Sequence, residues 1–271
     1  MGRRLPPPYK HWCKWLLRSD YRYKSREIAR LNRLPRYQPT VTNILGKPFE
    51  IVDGLSFVLM YRDIFEQQSY RFRTNEQKPY IIDGGANVGL SVLYFKELYP
   101  RSQIVAFEPD DDIFSVLERN IERRGYENIN LFGQALWSSE TKLSFMSEGS
   151  YGGRISQADD PRDTVVQTVR LRNYLNRQVD FLKLDIEGAE TEVLIDCADL
   201  LDGVENLFVE YHSFSKKPQT IHTVISILAD AGFRLLITQP YGSYDLSPQP
   251  FMERYVHEGM DLQLNIFAFR S

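Results

Sequence analysis

Short apolar runs and longer segments with helical spacing alternate along the chain from residue 80 onward. The apolar runs predict strands near 80–83, 104–108, 129–134, 180–185, 206–211, 233–238 and 262–269. The segments between them predict helices near 89–99, 111–124, 189–200 and 219–231. Because strands that alternate with helices form parallel sheets covered on both faces, we predict an α/β fold with a seven-stranded, mostly parallel sheet. No helix joins the last two strands, which favours an antiparallel pair.

The N-terminal part follows a different pattern. Residues 1–48 carry a net charge of +10, which leaves −13 for the rest of a chain whose total is −3. We predict a basic, partly helical extension over 1–48, a β cap over 49–79 and a catalytic core over 80–271. The Asp53-Gly54 step predicts a hairpin between 49–52 and 57–61 within the cap. We expect no ligand contact from the cap.

The basic arm has several candidate partners. We prefer a helix that packs on its own domain or on a second copy of the chain, with a solvated basic face. Among the other roles, peripheral contact with a membrane is favoured over nucleic acid, because Trp12 and Trp15 suit an interface and the acidic body is a poor phosphate track. Cys13 and Cys197 form no disulfide framework and neither lies in a C-x-x-C pair, so we expect a reducing, cytoplasmic compartment, with any membrane contact peripheral.

The most informative stretch is a glycine turn after the first predicted core strand, which reads Tyr-Ile-Ile-Asp-Gly-Gly-Ala-Asn-Val-Gly over residues 80–89. The dinucleotide fingerprint G-x-G-x-x-G fits neither frame, because Ala86 or Asn87 takes the place of its second glycine. The carboxylate of Asp83 would repel a phosphate and attract an ammonium or sulfonium group. We therefore predict that the turn binds S-adenosylmethionine, with Asp83 against the amine. The predicted contacts here are Asp83, Gly84, Gly85, Ala86, Asn87 and Gly89.

Further cofactor contacts are predicted at the ends of the next two strands. Glu108 ends an apolar run about 20 residues after the turn, where an acidic residue commonly binds ribose hydroxyls, and Pro109 follows it. Gln134 and Ala135 follow the third predicted strand and are expected to border the adenine. Asp185 is expected to lie beside the sulfonium and the acceptor.

The fourth and fifth strands end in dense polar residues, and we expect catalysis there. Alternation along a strand predicts one shared face for Lys183, Asp185 and Glu187, and another for Glu210 and His212. For the base we favour His212, assisted by Glu210, because histidine titrates near neutral pH. A structural histidine is the alternative interpretation. A divalent cation held by Asp185, Glu187, Glu210 and His212 is a second alternative, ranked below the metal-free base.

Three motifs together resemble the FkbM family of S-adenosylmethionine-dependent methyltransferases. They are the Asp-Gly-Gly-Ala-Asn-Val-Gly turn over 83–89, the Phe-Glu-Pro over 107–109 and the Lys-Leu-Asp-Ile-Glu-Gly-Ala-Glu octet over 183–190. The resemblance covers about residues 80–212 and implies a Rossmann-like fold and O-methylation of hydroxyls on sugars, glycolipids or polyketide-type natural products. The chain departs from the family at Leu171-Arg172, where Leu-Asp is usual.

Other functions remain as alternatives. A nucleic-acid methyltransferase would explain the basic arm, but the fourth strand lacks an Asp/Asn-Pro-Pro-aromatic ending. A non-catalytic module that binds S-adenosylmethionine would not require Asp185, Glu210 or His212. A nicotinamide oxidoreductase is disfavoured by the glycine spacing. Two long irregular segments, 147–163 and 239–261, are candidate lids over whichever ligand binds.

Overall fold

The computed structural model describes residues 19–146, 154–155, 164–214, 217–240 and 260–270. Its N-terminal elements are α1 (Ser19–Leu31), β1 (Thr40–Thr42), β2 (Phe49–Ile51), α2 (Gly54–Tyr61) and a π-helical segment, Arg62–Gln67. The rest comprises β3 (Tyr80–Gly84), α3 (Leu90–Leu98), β4 (Gln103–Phe107), α4 (Asp111–Glu122), β5 (Ile129–Phe132), β6 (Ala135–Trp137), β7 (Lys142–Met146), β8 (Arg154–Ile155), β9 (Thr164–Arg170), β10 (Phe181–Leu184), α5 (Glu190–Cys197), β11 (Asn206–Phe214), α6 (Ile221–Asp230), β12 (Arg234–Thr238) and β13 (Met260–Phe269).

The main sheet has seven strands in the order β12-β13-β11-β10-β3-β4-β5. Every neighbouring pair is parallel except the two that involve β13, which runs antiparallel to β11 and to β12. The predicted seven-stranded, mostly parallel sheet is therefore confirmed, and so is its antiparallel ending. The carboxyl ends of β4, β3, β10 and β11 meet along one edge, which is where ligands bind in open α/β sheets.

The central strands are mostly apolar because both faces of the sheet are covered. On β3, Ile81 and Ile82 point to opposite faces and both are fully buried. Ile81 belongs to a core cluster that includes residues of α1, α2, α3 and α4, whereas Ile82 belongs to one built with α5 and α6. The N-terminal elements thus share one core with the catalytic sheet. Leu31 at the end of α1 is fully buried in that core.

The predicted hairpin at Asp53-Gly54 is wrong. Asp53 caps the N-terminus of α2, where its Oδ1 accepts a hydrogen bond from the backbone N–H of Ser56 at 2.8 Å. A side chain at Gly54 would place its Cβ 2.5 Å from the carbonyl oxygen of Leu31, so glycine here permits close packing of α1 on α2. The apolar run that resembles a strand is a helix buried against this core, and β2 pairs with β1 instead.

We expect Asp53→Ala to destabilise the protein by about 1–2 kcal/mol, because the substitution removes the cap of α2. The carboxylate also accepts from the N–H of Tyr37 at 2.7 Å and from Arg36 Nε at 3.0 Å. Urea unfolding measures the loss. Asp202→Ala, at a side chain that is 91% exposed, is the control and should leave the midpoint unchanged. Equal midpoints for the two variants would contradict the capping role.

A second, smaller sheet was not predicted. The run predicted as one strand over 129–134 ends at Phe132, and β6 then begins a sheet of order β6-β9-β7-β8. Most of the two candidate lids, 147–163 and 239–261, lies outside the described residues, apart from the two residues of β8 and the ends of the second segment. Among the described helices, none has both the length and the apolar character that crossing a bilayer requires.

Candidate active site

A single pocket opens at the carboxyl edge of the main sheet and brings most of the predicted residues together. The cofactor candidates on its wall are Gly85, Ala86, Asn87, Glu108, Pro109, Gln134 and Ala135. The catalytic candidates on its wall are Lys183, Asp185, Glu187 and Glu210. Four predicted residues, Asp83, Gly84, Gly89 and His212, do not line it. Most of the residues predicted from the sequence therefore share one pocket, and these four do not face it.

The glycine turn is held tightly between β4 and the loop after β10. The N–H groups of Gly85 and Ala86 both donate to the carbonyl of Phe107, at 3.0 and 2.9 Å. Gly85 has φ +80°, and a Cβ there would lie 1.9 Å from the carbonyl oxygen of Asp185. Only glycine satisfies both constraints, so the turn presents bare backbone to the pocket.

The structure corrects the predicted role of Asp83. Its side chain is fully buried beneath the turn, where Ser91 Oγ donates to its Oδ2 at 2.5 Å. Lys183 lies directly opposite on β10, with Nζ 3.3 Å from Asp83 Oδ1. The parallel register therefore turns this carboxylate toward a buried lysine. It does not reach the pocket, and it cannot take the amine of a ligand there.

Lys183 connects the glycine turn to the loop after β10 through non-covalent contacts. Its ammonium group donates to the carbonyl of Gly85 at 2.8 Å and lies 3.3 Å from Asp185 Oδ2. Burial alone would lower the pKa of Lys183, but Asp185 and Asp83 outweigh burial and raise it, so the group stays charged. Lys183 thus fixes the turn and Asp185 relative to each other.

Glu108 is held by backbone donors from two loops. Its Oε2 accepts from the N–H of Asn87 at 2.9 Å, and its Oε1 accepts from the N–H of Asp110 at 3.0 Å. Burial raises the pKa of Glu108 to about 7, although these two hydrogen bonds act in the opposite direction. The carboxylate lies on the pocket wall beside the glycine turn, which is the placement that a ribose contact requires.

The wall opposite Glu108 is acidic. Glu210 accepts a hydrogen bond from Gln263 Nε2, and burial followed by the nearby charge of Asp185 raises the pKa of Glu210 to about 8. Glu187 adopts φ +54°, a conformation that non-glycine residues seldom take and that is concentrated at functional sites. The pocket therefore holds more negative than positive side chains around a lysine that is already paired.

His212 is not placed to act as the base. Its Nδ1 donates to Glu190 Oε1 at 3.1 Å, while Nε2 lies 3.5 Å from Glu187 Oε2 and 3.9 Å from Glu210 Oε1. Burial lowers the pKa of His212, but these carboxylates outweigh burial and raise it well above its usual value. A buried imidazolium cannot accept the proton of a substrate, so the prediction of His212 as base is corrected. Its alternative, a structural histidine, fits the geometry.

The metal alternative has a partial geometric basis. One ligand atom from each of Asp185, Glu187 and His212 lies within 4.8 Å of the others. A divalent cation would have to displace the ring proton of His212 and compete with Lys183 for Asp185. The structure therefore favours the proton and the lysine as the cations of this cluster.

Sequence patterns missed several residues that line the pocket, three of them polar and outside every motif. Asp63 and Tyr70 line the pocket from the segment that we expected to carry no ligand chemistry, which corrects that expectation. Asn265 lines it from β13, opposite Glu210 in the antiparallel register. No motif marks any of these positions. Arg172, where the family motif departs, lies away from the pocket and donates to the carbonyl of Asp196 at 2.9 Å.

Comparison with known proteins identifies the family of the chain. The methyltransferase FkbM domain matches residues 83–235, more than half of the chain. The chain belongs to the FkbM methyltransferase family. It is 27% identical over 213 residues to Methyltransferase 1 of Beauveria bassiana (strain ARSEF 2860), covering 69% of this chain and 84% of the relative. It is 28% identical over 214 residues to Methyltransferase sdnD of Sordaria araneosa, covering 64% and 81%.

A solved structure supports the fold. The crystal structure of methyltransferase FkbM from Methylobacillus flagellatus KT superposes with a TM-score of 0.51 at 13% identity, covering 76% of this chain and 47% of that chain. The chain thus spans about half the length of that protein. Family membership makes this FkbM protein an S-adenosylmethionine-dependent methyltransferase with a Rossmann-like fold.

Proposed function

We propose that this FkbM methyltransferase transfers a methyl group to a hydroxyl oxygen of a sugar, glycolipid or natural product. The observation that supports this proposal is the shared pocket. It joins a bare glycine turn and Glu108 on one side to the carboxylates of Asp185 and Glu210 on the other. Cofactor and acceptor would therefore meet at one sheet edge.

The residues present fit the cofactor. The backbone at Gly85 would lie against the methionine part, Glu108 would accept hydrogen bonds from the ribose, and Gln134 with Ala135 would border the adenine. When bound, S-adenosylmethionine supplies an electrophilic methyl group on a cationic sulfur. Asp185 on the acidic wall would face that positive charge, as the sequence predicts, whereas Asp83 would not contact the methionine amine.

Glu210 is the best candidate for the base. Transfer to a hydroxyl oxygen requires a group that takes the hydroxyl proton, and an effective base has a pKa near the working pH. Glu210 lines the pocket, and burial with the neighbouring charge of Asp185 brings its pKa to about 8. Gln263 fixes the carboxylate through its side-chain amide, and His212 supplies a nearby positive charge. The sequence predicts that Glu210 assists His212, whereas we propose Glu210 itself as the base.

The acidity of the pocket argues against nucleic acid as the acceptor. A nucleic-acid substrate would bring phosphates close to the target base, and binding them usually requires several Lys or Arg side chains. The only Lys or Arg among the described pocket-lining residues is Lys183, which already lies between Asp83 and Asp185. We therefore retain a hydroxyl-bearing small molecule or glycan as the acceptor.

Product mass after incubation tests the proposal. The protein is incubated with S-adenosylmethionine and separate panels of sugars, glycolipids and polyketide-type alcohols, and each mixture is analysed by mass spectrometry. One methyl transfer adds about 14 mass units, and fragmentation locates it on oxygen or elsewhere. A panel without enzyme is the control. A parallel incubation contains RNA in place of these acceptors. Methylation on nitrogen or carbon alone, or methylation of the RNA only, would contradict the proposal.

We expect activity to survive chelation of divalent cations. Lys183 and the imidazolium of His212 already neutralise the cluster that resembles a metal site. Turnover should therefore be equal in excess EDTA and in buffer with added Mg²⁺ or Mn²⁺. Activity that disappears with EDTA and returns with metal would establish the alternative ligand set of Asp185, Glu187, Glu210 and His212.

A further inference from the structure

One polar atom on the pocket wall, the side-chain oxygen of Asn265, is buried without a hydrogen bond to any described residue. Asn265 is 3% exposed and lines the pocket, yet its Oδ1 has no hydrogen-bond partner among the described residues. A buried acceptor without a donor costs about 1–3 kcal/mol, so such an atom calls for an explanation. A ligand that donates a hydrogen bond would supply the missing partner.

The position of Asn265 indicates whether the cofactor or the methyl acceptor supplies this donor. The strands run β13, β11, β10, β3, β4 across the sheet, and Glu108 follows β4 at the far side of the glycine turn. Asn265 on β13 lies opposite Glu210 on β11, beyond Asp185, which follows β10. A nucleoside held at Glu108 would therefore lie on the other side of the turn. The group that reaches Asn265 then belongs to the acceptor.

The charge of this wall restricts the acceptor further. Among the described residues, the carboxylates of the pocket on this side of the turn are Asp63, Asp185, Glu187 and Glu210. The nearby cations, Lys183 and His212, are each held between carboxylates of the protein itself. Among the described residues, a phosphate or carboxylate on the acceptor would find no cation that is free of protein carboxylates, and it would be repelled.

We propose that Asp185, Glu210 and Asn265 form an acceptor subsite that binds hydrogen-bond donors on an uncharged or cationic polyol or amino alcohol. The inference rests on the proposed function, because it assumes a hydroxyl acceptor at Glu210. In this arrangement the reactive hydroxyl points to Glu210. A neighbouring hydroxyl or ammonium group donates to Asn265 Oδ1.

Sinefungin tests the subsite without knowledge of the natural acceptor. In this analogue a carbon that bears an amine replaces the sulfonium and its methyl group, so the amine points where the methyl would leave. Isothermal calorimetry compares it with S-adenosylhomocysteine, which lacks that group. We expect the wild-type protein to bind sinefungin about tenfold more tightly or better, because the amine meets Asn265 and the carboxylates.

Substitutions at Asn265 test whether this residue causes the preference for sinefungin over S-adenosylhomocysteine. Asn265→Leu removes the acceptor oxygen at similar volume, so it should reduce the preference for sinefungin several-fold and leave the affinity for S-adenosylhomocysteine unchanged. It should also raise the melting temperature, since the unpaired polar atom is gone. Asn265→Asp keeps an acceptor oxygen and should keep the preference.

Ser213 offers a matched control on the neighbouring strand. Its Oγ is also buried without a partner among the described residues, but Ser213 does not line the pocket. Ser213→Ala should leave both affinities unchanged. Two results would overturn the subsite. One is an unchanged preference in Asn265→Leu, and the other is an equal loss of both ligands in a folded Asn265→Leu protein, which would place the methionine amine at Asn265.

The class of acceptor is tested with three versions of any alcohol that the mass assay identifies. One is neutral, one bears an amine and one bears a phosphate, and they differ as glucose, glucosamine and glucose 6-phosphate do. Neutral and amine-bearing members should be methylated, and phosphate-bearing members should react at least tenfold more slowly. Faster reaction of the phosphate-bearing member would contradict the inference that the subsite disfavours negatively charged acceptors. If the wild-type protein binds neither nucleoside, the proposed function fails rather than the subsite.

Discussion

Glu210→Gln should lower kcat by about 10²–10⁴-fold, which is the usual contribution of a positioned base. The amide matches the carboxylate in shape, so the substitution removes the proton acceptor with little change in packing. Because Glu210 lies on the acceptor side of the pocket, the affinity for S-adenosylmethionine should remain within a few-fold of the wild type. Initial rates with an acceptor from the mass assay, together with calorimetry of the cofactor, measure the two effects separately.

The pH profile distinguishes a base from a merely structural residue. Burial and Asp185 raise the pKa of Glu210 to about 8, so the carboxylate gains its base form as the pH rises through that value. With both substrates well below saturation, wild-type activity should increase with pH through this range and then level off. The rising limb should vanish in Glu210→Gln. Glu205→Gln, just before β11 at its other end, is the control and should keep it. A normal rate in Glu210→Gln would move the base to another pocket carboxylate, such as Asp63.

Gly85→Ala should abolish cofactor binding or prevent folding. Alanine at φ +80° incurs backbone strain of about 1–3 kcal/mol. In addition, its Cβ would lie 1.9 Å from the carbonyl oxygen of Asp185, so the turn or the loop after β10 must move. Either movement displaces the backbone that faces the ligand. Calorimetry with S-adenosylmethionine and urea unfolding would report the two consequences.

Gly125 provides the matched control for this substitution. It adopts φ +64°, but a Cβ there meets nothing within 4 Å. Gly125→Ala therefore carries the backbone strain without the collision, and it should be modestly destabilised while binding the cofactor normally. Equal behaviour of the two variants would show that the close approach at Gly85 has no role in the site.

Most of the fold could be predicted because its determinants are local in the sequence. Continuous apolar runs identify strands that are buried on both faces, and Gly85 marks a turn that no other residue tolerates. Parallel strands bring their carboxyl ends to one edge, so the location of the pocket followed from the order of elements. The hairpin at Asp53 failed because a short buried helix and a strand share the same apolar pattern.

The roles within the site could not be predicted as well, since they depend on contacts between distant segments. Asp83 appeared suited to a cationic ligand, but the register of β3 with β10 places Lys183 beside it. His212 appeared suited to accept a proton, but the fold surrounds it with carboxylates from the loop after β10, from the start of α5 and from β11. Asn265 carries no motif, and only the pairing of β11 with β13 brings it opposite Glu210.

Calorimetric titration with S-adenosylmethionine and, separately, with NAD tests most directly whether the glycine turn and Glu108 form a site for a sulfonium nucleoside. We predict saturable binding of one S-adenosylmethionine per chain and no heat from NAD. Glu108→Ala should weaken the first titration, because the ribose would lose its acceptor. Tight binding of NAD, together with no response to S-adenosylmethionine, would contradict the account.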